Sequence, residues 1–382
     1  MMNTGRTNAE HARRGAATVA DKASRVTVRA TAAATARFAA RFAASRASDF
    51  YRAGPIENRL SSIGIGTYLG ECGDADDVRY ERAIRAAVTS GINVIDTAIN
   101  YRCQRSERAA GRAIAALERD GLAAREELLI CTKGGYIPLD GEVPASRDEY
   151  QAMVAREYLD RGLMTADDVV AGGHCLAPTF LADQIARSRA NLGVATIDIY
   201  YLHNPEQQRL AINAATFRER LTRAFEALET RAAAGDIAVY GCATWNGFRV
   251  PPENRNHLSL EELLSVAREV GGEHHHFKVI QLPVNLAMTE AVRTPTQKIG
   301  SDRVPLLEAA HRLGVSVVGS ATLMHSQLTR SLPEQLHSAF PGFSSDARRA
   351  IAFAQSLPLT AALVGMKSIS HLEENLECPK IS

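Results

Sequence analysis

The chain contains 382 residues with a formal net charge of +1, and 46% of its residues are hydrophobic. This length accommodates one large domain with an appended segment, and the balanced charge argues against nucleic acid or an anionic membrane as a partner. No apolar run approaches the ~20 residues of a transmembrane helix, so the sequence predicts no membrane span.

Residues 1–48 are rich in Ala, Arg, Thr and Ser, with Glu10 and Asp21 as their only acids. We interpret them as an N-terminal extension, partly disordered and helical over its second half, that precedes a main domain at residues 49–382. An organelle transit peptide has a similar composition and is the alternative, whereas the long apolar core of a secretory signal is missing. The six cysteines are scattered without a C-x-x-C pair, which favours reduced thiols in the cytoplasm over a disulfide framework.

From about residue 60, short apolar runs rich in β-branched residues alternate with longer stretches of helical periodicity. The strand candidates, in chain order, are SSIGIGTYLG, INVIDTA, LLICTKGG, TIDIYYLH, IAVYGCAT, KVIQLPVN, SVVGSAT and TAALVGMK. A succession of β-then-α units implies a parallel sheet, and strands this apolar must be covered on both faces.

The first strand leads into Gly64-Ile65-Gly66-Thr67 and not into the G-x-G-x-x-G turn of a dinucleotide-binding doubly wound sheet. We therefore predict an α/β fold, namely a closed (β/α)8 TIM barrel. In such a barrel the functional site lies at the carboxyl ends of the strands.

The connection at residues 136–179 is far longer than the usual βα loop of ~2–6 residues. Its segment EYQAMVAREYLDRGLM has the pattern of a short amphipathic helix. A long insert after the third strand, at the catalytic face, predicts a lid or a substrate-shaping element. A structural flap and a contact with a second copy of the chain in a homo-oligomer are the alternatives.

An acid, a phenol, an ammonium and an imidazole lie where three consecutive predicted strands end: Asp96, Tyr101, Lys133 and His203. Hydride reduction of a carbonyl requires a proton donor, which Tyr101 can supply. A free phenol with a pKa of ~10 is a weak acid at neutral pH, and Lys133 beside it should lower that pKa. Asp96 can hold Lys133 charged and oriented, and His203 can orient the substrate oxygen. Each residue alone has an ordinary structural explanation, but the combination predicts a catalytic site.

The run His274-His275-His276 precedes the sixth strand candidate and raises the question of a metal site. Consecutive histidines rarely all face one ion, and no second ligand group lies at helical spacing. We therefore interpret the run as a solvated loop and predict no metal site.

The motifs DTAINY, TKGG and YLHNP resemble those of the aldo-keto reductase superfamily, and the resemblance covers roughly residues 58–378. Further matches are G-x-G-T ending at Thr67, Gln281 in QLPVN, and Gly365-Met366-Lys367 followed by HLEEN at residues 371–375. The spacing of this last stretch is closest in pattern to the potassium channel β-subunits and the bacterial general stress reductases. The resemblance implies a (β/α)8 barrel that binds a nicotinamide cofactor without a Rossmann motif. It also implies that Tyr101, Lys133, Asp96 and His203 have the catalytic roles of the family's tyrosine, lysine, aspartate and histidine.

The same resemblance implies NADP as the cofactor. Gln281 would bind the nicotinamide carboxamide, and Lys367 would add positive charge where a helix N-terminus faces the adenosine phosphate. Glu374 and Asn375 would contact the adenine and the ribose. The full set of implied cofactor-binding residues is Gly66, Thr67, Tyr68, Thr244, Gln281, Ser320, Gly365, Lys367, His371, Glu374 and Asn375.

The nicotinamide end departs from the family pattern. Where the family has Gly-x-Ser-Asn after the fifth strand, this chain has Gly241-Cys242-Ala243-Thr244, which leaves only Thr244 to grip the carboxamide. The tyrosine that stacks on the nicotinamide from the seventh strand is also missing. We hypothesise that Trp245 or an aromatic residue of the long insert supplies the stacking surface.

These patterns predict an NADP-dependent oxidoreductase that transfers a hydride between the nicotinamide and an aldehyde or ketone. Its partner would be a small-molecule carbonyl compound or the corresponding alcohol. Two alternatives stay open at this point. One is a cofactor-binding regulatory subunit with little turnover, and the other is a non-redox lyase or isomerase on the same barrel.

Overall fold

A computed structural model describes residues 28–377 of the chain. Parallel strands close into a barrel in the order of the sequence. They are β1 (Ile63–Gly66), β2 (Val94–Asp96), β3 (Leu129–Gly134), β4 (Ile197–His203), β5 (Ile237–Ala243), β6 (Phe277–Pro283), β7 (Ser316–Ser320) and β8 (Ala361–Gly365). Each strand lies within or next to its predicted run, and the predicted fold class is confirmed.

Helices surround the barrel and fill its connections. They are α1 (Ala32–Phe42), α2 (Asp74–Thr89), α3 (Arg105–Arg119), α4 (Arg147–Val154), α5 (Pro178–Leu192), α6 (Gln208–Ala211), α7 (Ala214–Ala233), α8 (Leu260–Gly271), α9 (Glu290–Arg293), α10 (Leu306–Arg312), α11 (Glu334–Ala339), α12 (Asp346–Gln355) and α13 (Ile369–Asn375). Gly193 ends α5 in the left-handed conformation (φ 67°), which a residue without a side chain adopts most readily. No helix within residues 28–377 is long and apolar enough to cross a membrane.

The apolar core has two layers, one inside the barrel and one between the barrel and its helices. Val94, Leu129 and Ile199 belong to the inner layer, while the neighbouring Ile95 and Ile130 belong to the outer layer. Because successive side chains of a strand point to opposite faces, burial on both faces explains why the strands are continuously apolar.

The strand register brings the carboxyl ends of the strands to one rim. Gly66 of β1 pairs with Asp96 of β2. Farther round the barrel, His203 of β4 pairs with Ala243 of β5, which in turn pairs with Gln281 of β6. Predicted site residues that are far apart in the sequence therefore lie around the same opening.

The insert after β3 folds into α4, a π-helical turn at residues 155–159 and a two-stranded hairpin that pairs residues 169–170 with 174–175. The short helix predicted in the insert is present as α4. Apolar side chains of the insert, among them Tyr158, form a separate cluster with Phe180 at the start of α5. Its role as a lid or substrate-shaping element stays a prediction.

The N-terminal segment contributes α1, which lies in the second half of residues 1–48. Phe38 of α1 is fully buried, and its ring meets that of Tyr51 edge to face with centroids 6.5 Å apart. Tyr51 belongs to a hairpin that pairs residues 51–53 with 59–61. The division into an extension and a main domain stays a prediction. Residues 1–27, to which the transit-peptide alternative applies, and Cys378 lie outside the described residues.

Candidate active site

A pocket of about 440 Å³ lies at the carboxyl ends of the barrel strands. Three of the predicted catalytic residues, Asp96, Tyr101 and His203, line it directly. The fourth, Lys133, is 1% exposed and reaches the same place from within the barrel wall. The structure therefore brings all four residues together, as their positions at adjacent strand ends predict.

Lys133 forms a buried ion pair with Asp96. Its Nζ donates hydrogen bonds to Asp96 Oδ1 and, at 2.9 Å, to the carbonyl oxygen of Thr97. The second carboxylate oxygen, Asp96 Oδ2, accepts a hydrogen bond from Gln281 Nε2 at 2.8 Å. Burial alone would lower the pKa of Lys133, but Asp96 and Tyr101 more than offset it and hold that pKa above its ordinary value. The ammonium is therefore charged at neutral pH.

Tyr101 lies next to this ammonium, with Lys133 Nζ 5.1 Å from the centre of its ring. Burial raises the pKa of the Tyr101 phenol above its ordinary value, and this outweighs Lys133, which lowers it. Lys133 therefore lowers the pKa of Tyr101, as expected, but burial keeps that pKa above the value of a free tyrosine. The residues that surround Tyr101 and Lys133 exclude water from both side chains. This desolvation disfavours the phenolate form of Tyr101. The phenol is protonated at neutral pH, which is the form that can donate a proton.

His203 faces Tyr101, with ring centroids 5.8 Å apart. Burial, Lys133 and His174 together hold the pKa of His203 well below its ordinary value, so its ring is neutral. Its Nδ1 is buried and has no partner among residues 28–377. The backbone of His203 is held by the insert, because its carbonyl oxygen lies 2.8 Å from His174 Nε2. His203 lines the pocket as a neutral imidazole beside a protonated phenol, and a ring nitrogen of such an imidazole can donate a hydrogen bond to a substrate oxygen.

Residues 62–263, more than half of the chain, match the model of the Aldo/keto reductase family. The chain belongs to the aldo/keto reductase family. The resemblance inferred from DTAINY, TKGG and YLHNP is thereby confirmed. The sequence matches no curated protein.

Solved aldo-keto reductases share the fold at low sequence identity. A holo-form aldo-keto reductase from Bacillus halodurans is 17% identical with a TM-score of 0.56, and the match covers 85% of this chain and 89% of that one. A glycerol dehydrogenase from Gluconobacter oxydans is 20% identical with a TM-score of 0.56, covering 88% and 92%. An aldo/keto reductase from Klebsiella pneumoniae, solved with NADP and acetate, is 18% identical with a TM-score of 0.51, covering 84% and 86%. At these identities the likeness shows the fold alone.

In this aldo/keto reductase, the predicted cofactor-binding residues fall into two groups. Seven of the predicted residues line the pocket at the strand ends: Gly66, Thr67, Tyr68, Thr244, Gln281, Ser320 and Gly365. Thr244 and Thr322 line the same pocket, and the hydroxyl oxygen of each is buried without a partner in the part of the chain that the structure describes. Hydroxyls that lack partners fit a polar ligand that would complete their hydrogen bonding.

The other four predicted residues lie outside the lining of this pocket. Lys367 Nζ forms an ion pair with Asp76 Oδ2 at 3.1 Å. His371 is exposed and Glu374 is half-buried, both on α13. Asn375 is 2% exposed and borders a second hollow that Arg46 also lines. A phosphate at Lys367 would therefore compete with the Asp76 carboxylate for the same ammonium.

An aromatic stack at the mouth of the pocket was not predicted from the sequence. The His325 ring stacks on Tyr68 at 5.6 Å between centroids and on Trp245 at 6.1 Å. His325 follows β7 in a loop where Ala321 and His325 have a φ of 52°, a left-handed conformation that sequence patterns do not reveal for these residue types. Trp245, hypothesised as a stacking surface, lines the pocket and is 40% exposed.

Proposed function

We propose that this aldo/keto reductase is an NADP-dependent oxidoreductase that interconverts aldehydes or ketones with the corresponding alcohols. The single observation that carries the proposal is the buried Asp96–Lys133 pair, with Lys133 Nζ 5.1 Å from the ring of Tyr101. A bound nicotinamide would supply the hydride. The five cysteines within residues 28–377 are free thiols, which supports a cytoplasmic location.

The four residues of the site would bind the carbonyl oxygen and transfer the proton. A carbonyl oxygen bound between the Tyr101 hydroxyl and His203 would be polarised by hydrogen bonds from both sides. Tyr101 would donate its proton to this oxygen as negative charge develops there. The Lys133 ammonium would stabilise the phenolate that remains, while Asp96 keeps the ammonium charged and oriented. In alcohol oxidation the proton would move in the opposite direction.

The test is to measure oxidation of NADPH by the full chain against a panel of aldehydes and ketones. We expect absorbance at the nicotinamide band to fall only when a carbonyl compound is present, with one alcohol formed for each NADPH oxidised. Tight NADPH binding without turnover on any carbonyl would favour the regulatory subunit. Loss of substrate while NADPH is unchanged would favour a lyase or isomerase.

Replacing Lys367 with glutamine tests the proposed preference for NADP. The Lys367 ammonium would bind the adenosine phosphate, with Gly365, His371, Glu374 and Asn375 around the adenosine. Loss of one charge-assisted hydrogen bond at a partly exposed site should raise the Kd of NADPH about 10-fold. The Kd of NADH should change little, because NADH lacks that phosphate. Calorimetric titration with both cofactors gives the two constants.

Lys298→Gln is the matched control for that experiment, since Lys298 is an exposed lysine on the hairpin that pairs residues 297–299 with 302–304. It should leave both Kd values unchanged. An equal loss of NADH and NADPH affinity in Lys367→Gln would argue against a phosphate contact.

Replacing Trp245 with alanine tests the hypothesis that this ring stacks on the nicotinamide. Aromatic stacking contributes about 0.5–1.5 kcal/mol, so the Kd of NADPH should rise about 2- to 10-fold. Trp245→Phe keeps an aromatic face and should lose less affinity than Trp245→Ala. Calorimetry measures the Kd without relying on tryptophan fluorescence. Unchanged cofactor affinity and turnover in Trp245→Ala would rule out the stacking role.

A further inference from the structure

Two thiols from different loops meet beside Tyr101. Cys72 belongs to the connection between β1 and α2, and Cys103 to the connection between β2 and α3. Their Sγ atoms are 2.8 Å apart, and both cysteines are free thiols. Cys103 is 4% exposed, while Cys72 is half-buried. Since Cys103 follows Tyr101 by two positions, any change at this thiol pair acts next to the proposed proton donor.

Arg102 holds the two loops together at this point. Its Nε donates to Glu71 O at 2.7 Å and its Nη2 donates to Gly73 O at 3.1 Å. Its guanidinium also pairs with Asp77 at 2.5 Å, and the residue is only 5% exposed. Glu71 and Gly73 flank Cys72, and Arg102 directly precedes Cys103. The approach of the thiols is therefore set by a buried ion pair and two backbone contacts, and not by the cysteines alone.

The backbone at Cys103 is unusual. Arg102, Cys103 and Gln104 have φ values of 49°, 55° and 64°, a left-handed conformation that residues with side chains adopt at a cost. Contacts with the insert help to hold it: Gly141 N donates to Cys103 O at 3.0 Å, and Gln104 Nε2 donates to Leu139 O at 3.1 Å. The segment that follows Tyr101 thus depends on its tertiary contacts, and a covalent link there would add to them.

We propose that Cys72 and Cys103 are a redox-active pair whose reversible disulfide fixes the loop that follows Tyr101. The oxidant is a low-molecular-weight disulfide such as oxidised glutathione. Cys72 Sγ, as the thiolate, attacks one sulfur of the oxidant, forms a mixed disulfide and releases one thiol. Cys103 Sγ then loses its proton to water and attacks the Cys72 sulfur, which forms the Cys72–Cys103 bond and releases the second thiol. Two electrons pass from the pair to the oxidant.

The order of attack follows from the surroundings of the two sulfurs. Burial, together with the neighbouring Cys72, raises the pKa of Cys103 to about 12, so Cys103 is a poor first nucleophile. Cys72 is the more exposed of the two and can be reached by an oxidant from solution. Cys72 therefore attacks first and Cys103 resolves the mixed disulfide. When disulfides form in reducing compartments, they are usually transient, as this one would be.

The experiment is an equilibrium titration of the full, folded chain with oxidised and reduced glutathione at increasing ratios. Samples are quenched in acid, alkylated, digested and mapped by mass spectrometry. We expect a peptide that links Cys72 to Cys103 to appear as the alkylated forms of both cysteines fall in parallel. Dithiothreitol should reverse the change. The oxidised chain should also unfold several degrees higher than the reduced chain, because the link restricts the unfolded state.

Cysteine variants distinguish the reaction of Cys72 with Cys103 from oxidation of the other cysteines. Cys72→Ser and Cys103→Ser should each lose the linked peptide and the rise in unfolding temperature. Cys175→Ala, which removes a buried cysteine of the insert, should keep both. The proposal is overturned if no linked peptide forms at the most oxidising ratio, or if Cys72 stops at the mixed disulfide while Cys103 stays reduced. Amide hydrogen exchange of residues 102–104 should be slower in the linked chain than in the reduced chain, and unchanged exchange at these residues overturns the claim that the link fixes the loop. None of these measurements uses turnover, so they are independent of the proposed reaction.

Discussion

Replacing Tyr101 with phenylalanine is expected to lower kcat for carbonyl reduction by about 10²–10⁴-fold, the contribution that a positioned general acid typically makes. The substitution removes the hydroxyl and keeps the ring, whose neighbours are Tyr68 at 5.0 Å and His203 at 5.8 Å between centroids. The Kd of the cofactor should therefore stay close to that of the unmodified chain. Steady-state kinetics and calorimetric titration measure the two quantities separately.

Tyr158→Phe is the control for this variant, because it removes a hydroxyl from a buried tyrosine of the insert that packs on Phe180 of α5. It should leave kcat unchanged. Near-normal turnover in Tyr101→Phe would refute the assignment of Tyr101 as proton donor. A loss of cofactor binding would instead indicate that the hydroxyl supports the pocket and not the chemistry.

Much of the site could be predicted because it follows from the barrel itself. Asp96, Lys133 and His203 end consecutive strands, and parallel strands in a closed barrel end at one rim. The alternation of apolar runs and helical stretches was sufficient to predict that barrel, so it was also sufficient to predict that these side chains meet. The pairing of Lys133 with Asp96 was predicted because a neighbouring carboxylate can hold the ammonium charged and oriented.

The features that escaped prediction depend on packing between segments that are distant in the sequence. The pKa of Tyr101 depends on how much water its neighbours exclude, and no motif encodes that quantity. His325 reaches Tyr68 from a loop whose left-handed backbone no local sequence pattern predicts. Cys72 and Cys103 meet because Arg102 joins two loops. A pattern of residue types at fixed spacing contains no information on any of these contacts.

Replacing Lys133 with methionine is expected to lower kcat by at least about 10²-fold and also to destabilise the fold. The substitution leaves the Asp96 carboxylate, which is 3% exposed, with Gln281 as its hydrogen-bonding side chain and no cation beside it. Removing one partner of a buried ion pair costs about 3–5 kcal/mol of the free energy of unfolding. Denaturant unfolding and steady-state kinetics measure the two losses.

The double variant Asp96→Asn/Lys133→Met separates these two effects. It removes the uncompensated carboxylate, so much of the lost stability should return. Turnover should not return, because the phenolate of Tyr101 would still lack its neighbouring ammonium during proton transfer. If kcat recovered together with stability, Lys133 would be a structural partner of Asp96 and would have no electrostatic role at Tyr101. If stability recovered and kcat did not, the charge of Lys133 would be required for the chemistry itself.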